Sequence, residues 1–160
     1  MKFNGCSEML TFKKEIETIL FTLRGSPWAT HADVQKVISE YEHFIGAAKT
    51  PTQTRRVSLQ IFHASRAIDS LLKHMVEHEA NRVGRAVVGY LNLKRSLNNI
   101  QRHGVGGQRF ATPTETDVKD LTKARNRYLH VADDFPADRD LRVFLNQAAR
   151  AIGEAITFPV

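Results

Sequence analysis

Val57-Ser58-Leu59-Gln60-Ile61-Phe62-His63-Ala64-Ser65-Arg66-Ala67-Ile68-Asp69-Ser70-Leu71-Leu72-Lys73-His74-Met75 is the stretch on which the fold class turns. Its apolar residues Val57, Ile61, Ala64, Ile68, Leu71, Leu72 and Met75 recur at helical steps, and nothing in it alternates with the period of a strand. The pattern predicts a helix from about Arg55 to Glu79 that buries this stripe.

The same period runs outward in both directions. Before it, a helix from about Ser7 to Arg24 carries Met9, Phe12, Ile16, Ile19, Leu20 and Leu23, and Gly25-Ser26-Pro27 ends it. Thr30, three residues before Asp33, resembles a capping box for a second helix striped by Val34, Val37, Ile38, Tyr41, Ile45 and Ala48. Lys49 to Thr54, with Pro51, connects it to the third. A fourth helix is expected from about Asn81 to Arg102 through Val83, Val87, Tyr90, Leu91, Leu97 and Ile100. No proline or turn cluster marks its boundary with the third, so one long kinked helix is an open alternative.

His103 to Pro113 is the clearest loop. Thr114 and Asp117 open a fifth helix whose buried side holds Val118, Leu121, Tyr128, Leu129 and Ala132. Asp133 to Pro136 breaks it, and Leu141, Phe144, Leu145, Ala148, Ile152 and Ala155 stripe the last. The expectation is an all-α, up-and-down bundle of about five or six helices, with residues 1–160 as a single domain, long enough to bury a core without staples.

Composition bounds the partners. A net charge of +6, with 42% hydrophobic and 25% charged residues, describes a globular chain that suits a polyanion, although solubility alone accounts for the charge equally well. Cys6 is the only cysteine, which excludes an intramolecular disulfide and a cysteine-built zinc site and fits a reducing cytoplasm. No run of about 18 apolar residues predicts a membrane span, and the first residues do not read as an export signal.

The chemistry-bearing stretch is Arg125-Asn126-Arg127-Tyr128-Leu129-His130, in the second half of the fifth helix. Arginine can grip a phosphate with paired donors, the amide can orient it, and histidine titrates near neutrality. Asn126 and His130 fall one turn apart on one face. Arg125 and His130 lie roughly 140° apart around the axis and about 7.5 Å along it. One copy is therefore lopsided, whereas two copies across a symmetric dimer would surround one cleft. The bland reading is a solvated helix face, and loose Arg-to-His spacings arise readily by chance: Arg56 and His63 make one as well. Asn directly after Arg and three residues before His is a rarer arrangement, expected in about a few per cent of such chains.

This hexapeptide resembles the signature of the HEPN superfamily, small helical bundles with an Arg, usually a polar residue next, and a His four to six residues on. Its position late in the bundle, before a turn and the final helix, is similar too. Arg56 to His63 departs from that pattern, with Val57 where a polar residue is expected. The resemblance covers the whole chain in architecture and six residues in motif. It implies a metal-independent endoribonuclease without cofactor, acting as a homodimer on RNA, in a family rich in toxins and antiviral effectors with antitoxin or defence-system partners. Some relatives only bind nucleotides or partner proteins, which is the alternative reading. By position, Arg125 would hold the scissile phosphate, Asn126 would orient it, and His130 would act as acid or base. Arg127 and Tyr128 are candidate substrate contacts, though a core role suits Tyr128 better. Lys94, Arg95, Arg102 and Arg109 are candidates for a basic track toward the cleft, against the commoner reading of scattered surface charge.

The rival signal is His74-Met75-Val76-Glu77-His78, two histidines one turn apart with a glutamate between, as in inverted zinc-protease motifs. Such enzymes also need a further carboxylate ligand and a substrate chamber, for which the chain is short, and a solvated histidine-rich helix end is the commoner explanation. Gly104-Val105-Gly106-Gly107 follows a helix rather than a strand, so it reads as a helix cap and not as a nucleotide loop. Trp28, beside Pro27, is expected to pack under a loop.

Overall fold

A computed structural model describes residues 5–131 and 133–160, with side chains described from residue 13 onward except that of Ala132. The expectations for Met9, Phe12 and Ala132 thus lie outside the described side chains. The chain forms α1 (Gly5–Gly25), a 3-10 turn (Pro27–Thr30), α2 (Ala32–Ala47), α3 (Gln53–Arg82), α4 (Leu93–His103), α5 (Thr112–His130) and α6 (Asp138–Ala155). It is an all-helical bundle, and no described helix is long and apolar enough to cross a membrane.

α3 is the spine. Its 30 residues reach about 45 Å, and it packs against α2, α4, α5 and α6. The expected stripe from Val57 to Met75 is buried, and Ala67, Val76, Glu79 and Ala80 are buried beside it because neighbours cover α3 on more than one side. Burying each large aliphatic side chain there stabilises by about 1.5–3 kcal/mol. α5 and α6 pair beside the spine, tied by Arg150, which donates to both oxygens of Asp117 at 2.7 and 2.8 Å.

The fourth helix begins more than three turns beyond its expected start: Val83 to Asn92 is not helical. Gly84, at φ 66°, ends α3. Its N–H donates to Asn81 O at 3.2 Å and the Arg85 N–H to Ala80 O at 2.8 Å, the paired bonds of a Schellman end. Asn92 then caps α4 by accepting from the Arg95 N–H at 3.0 Å. Val83, Val88 and Tyr90 are exposed on the connection, Tyr90 at 72%. The capping box expected from Thr30 does not form either. His31 is the N-cap of α2, and Asp33 bonds Lys36 and His74 instead.

The glycine loop behaves as a cap. Gly104, at φ 78°, closes α4 with its N–H on Ile100 O at 2.8 Å. A Cβ on Gly106 would stand 2.7 Å from the Pro159 ring, so the loop and the 156–160 segment fit only with glycine there. Trp28 is fully buried, and its indole N–H donates to Phe158 O at 2.9 Å, which joins the 3-10 turn to the same segment.

Candidate functional site at the end of α5

α5 starts with Pro113 in its first turn and runs without a break to His130, where the Val131 N–H bonds Arg127 O and the backbone turns extended. The hexapeptide thus forms the last turns of the helix, and the chain reverses through Asp133, at φ 63°, into α6.

Arg125 faces α3. Its Nη1 donates to Asn126 Oδ1 at 3.3 Å and its Nη2 stands 3.9 Å from Asp69 Oδ2, both acid and base being mostly buried. Asp69 Oδ1 is buried without a hydrogen-bond partner among the described residues. Burial pushes the Asp69 carboxyl above the usual aspartate value, held back by the charges of Arg125 and Lys73. Asp69 is a site residue that the sequence reading missed. Its signal was a lone carboxylate directly after Ile68 on the buried side of the longest helix.

Asn126 and His130 are exposed, and the His130 ring has no hydrogen-bond partner among the described residues. Arg127 pairs with Asp134 and lies 5.3 Å over the Tyr128 ring. Tyr128 is half-buried against the core, and burial raises its hydroxyl pKa, with Asp140 nearby adding to the shift. Val131, Phe135 and Val143 are exposed large apolar residues around this end of the bundle.

The four basic candidates divide. α4 and α5 are joined at the glycine loop, so Arg102 and Arg109 sit beside the start of α5, roughly 20 Å along its axis from Arg125. There they and Arg85 lower the His103 pKa by charge, after desolvation. Lys94 and Arg95 lie at the other end of α4, where Arg95 donates to Tyr90 O at 3.3 Å.

The looser pair is engaged elsewhere. Arg56 meets Asp138 at 3.4 Å and His63 meets Glu40 at 2.8 Å, tying α3 to α6 and to α2. In the rival motif, Glu77 pairs with Lys73 at 3.8 Å, while His74 Nδ1 bonds Asp33 at 3.1 Å and His74 Nε2 bonds His31 at 2.9 Å. Burial holds the His74 pKa below the ordinary histidine value, with Asp33 opposing and His31 and His78 adding to the depression. Among the described residues, no group of three or more histidine, cysteine or carboxylate side chains could hold a metal ion. The groove lined by Glu15, Ile19, Ala149 and Ile152 lies at the far end of α6 from the motif. No family model, curated protein or solved structure matches the chain.

Proposed function

We propose that this chain is a metal-independent endoribonuclease of the HEPN type, acting as a homodimer whose two α5 ends share one cleft. The observation that carries the reading is the division of the motif. The Arg125 guanidinium is oriented by Asn126 at Nη1 and faces Asp69 from Nη2, while His130 stands exposed with no partner among the described residues. An oriented cation and an open imidazole are what phosphodiester cleavage without a metal requires. The base takes the proton of the ribose 2′-hydroxyl, whose oxygen attacks phosphorus. The acid protonates the departing 5′-oxygen, and a 2′,3′-cyclic phosphate remains. One His130 from each subunit supplies base and acid, and Arg125 bridges the equatorial oxygens with parallel donors. The exposed Val131, Phe135 and Val143 give the second copy an apolar surface beside the cleft.

The test is cleavage of single-stranded RNA in excess EDTA. Parental protein should cleave, and Arg125→Ala and His130→Ala should each lose on the order of 10²-fold or more while melting as folded proteins. The Asp69 carboxylate beside Arg125 favours one second reading, since it partly neutralises the guanidinium that would meet phosphate. That reading is a noncatalytic nucleotide- or partner-binding bundle. Parental cleavage rates in both folded variants, or no cleavage at all with retained nucleotide binding, would select it.

A further inference from the structure

The charge of this chain is concentrated in one segment. Residues 80–114 hold six of its 23 lysines and arginines and none of its 17 aspartates and glutamates, so they carry the whole net charge of +6. Everything outside the segment balances. Among the described residues, Arg82 pairs with Glu79 at 2.8 Å, whereas Arg85, Lys94, Arg95, Arg102 and Arg109 meet no carboxylate.

α4 puts these cations on one side. Leu93, Leu97 and Ile100 are buried, and Arg95 and Arg102, seven residues and about 10 Å apart along the axis, are exposed on the opposite face. Arg85 joins them from the preceding connection, its Nη1 donating to Asn99 Oδ1 at 3.1 Å. Arg109 reaches back from the glycine loop to Arg102 O at 3.5 Å. At the other end of the helix stands Tyr90, 72% exposed. Lys73, which also pairs with Glu77, holds its Nζ 5.6 Å from the centre of the Tyr90 ring, and Arg95 donates to the Tyr90 carbonyl. Gly89 makes room for that arginine, since a Cβ there would stand 2.7 Å from Arg95 Nη1.

Arginines without acidic neighbours take phosphates through paired donors, and an exposed ring among them takes a base on its open face. A lipid surface fits less well. The exposed side of α4 carries Lys94, Arg95, Asn98, Arg102 and His103, with no apolar side chain to enter a bilayer. We propose that the outer face of α4, with Arg85, Arg109 and Tyr90, binds single-stranded nucleic acid without regard to sequence, the arginines holding phosphates and Tyr90 stacking one base. The surface uses neither Arg125 nor His130, and it stands whether or not the chain cleaves RNA.

Fluorescence anisotropy with strands of about 12 nucleotides tests this, using 2′-O-methyl RNA and DNA of one sequence, neither of which offers a 2′-hydroxyl for cleavage. Both should bind in the micromolar range, the tighter telling RNA from DNA. The logarithm of affinity should fall with that of salt with a slope of about −3, as four or five phosphate contacts require. Arg95→Ala and Arg102→Ala should each make the slope shallower by about 0.7, and the double variant should bind at least about 10-fold more weakly with unchanged circular dichroism. Tyr90→Ala should weaken binding about 5-fold or more at an unchanged slope. Lys36→Ala, at an exposed cation outside the segment, should bind as the parent does. No binding of either strand at about 100 μM protein, or equal binding by the double variant and Lys36→Ala, would overturn the face. Sedimentation with phosphatidylserine vesicles in place of strand binding would overturn it in favour of a membrane surface, and parental affinity in Tyr90→Ala would remove the base platform. Because neither strand can be cut, failure here and failure of the ribonuclease reading are separate results.

Discussion

Arg125 and Arg56 sit in different surroundings on helices α5 and α3, which touch. Arg56 reaches Asp138 across the bundle and His63 reaches Glu40, so both are occupied by structure. Arg56→Ala and His63→Ala should therefore leave RNA cleavage within about 3-fold of parental. Each should lower stability by roughly 0.5–1 kcal/mol in urea melts, the usual value of a partly buried hydrogen-bonded contact. Arg125→Lys should have the opposite profile. It should melt like the parent yet recover little cleavage, because a point charge cannot reproduce a planar fork on phosphate. A lysine variant that cleaves at the parental rate would remove the paired-donor role. Spacing alone could single out the candidate residues at positions 125 to 130. It could not pair Asp69 with Arg125, since that contact joins positions 56 residues apart in sequence; the local signal, a lone carboxylate beside the buried stripe of α3, names no partner.

Among the elements, helical stripes were readable wherever the buried face was continuous, as in α3 and α6. The reading failed at the start of α4, where Val83, Val87 and Tyr90 keep helical spacing on a segment that is not a helix. The physical signals were present but single: Gly84 as the left-handed residue ending α3, and Asn92 as the cap of α4. One glycine in a periodic run reads as tolerated until its φ is known. Gly84→Ala should cost about 1 kcal/mol through φ 66°, since open space around its Cα leaves no clash to add. Asn92→Ala should cost about as much by freeing the first-turn N–H of α4. Denaturant midpoints check both; an unchanged midpoint for Gly84→Ala would mean that the Schellman end does not persist in solution.

At the scale of the whole molecule, one prediction concerns acid and the other concerns association. Hydrogen bonds from Arg82 hold the buried Glu79 carboxyl below its ordinary value of 4.5, helped by the Gly106 backbone. A carboxylate with a lowered folded pKa contributes stability above its unfolded pKa and loses it as pH falls through the folded one. Melting temperature should thus fall below about pH 4.5, and Glu79→Gln should flatten that fall while lowering the neutral-pH value. An identical acid limb in the variant would exclude this pair as a cause. For association, light scattering should report twice the 18.1 kDa chain mass. Phe135→Glu, at an exposed apolar position beside the motif, should yield a folded monomer that no longer cleaves RNA. A fully active monomer would remove the shared cleft.

The connection from Val83 to Asn92 is the barest link in the chain, with Val88 89% exposed between three helices on either side. α3 nonetheless lies against α4, α5 and α6, so the packing that joins the halves does not depend on the peptide that joins them. Cut after Tyr90, the protein becomes two three-helix fragments, one contributing Asp69 and the other Arg125 and His130. Neither fragment alone brings Arg125 to Asp69, which would make the pair a two-component switch assembled by complementation.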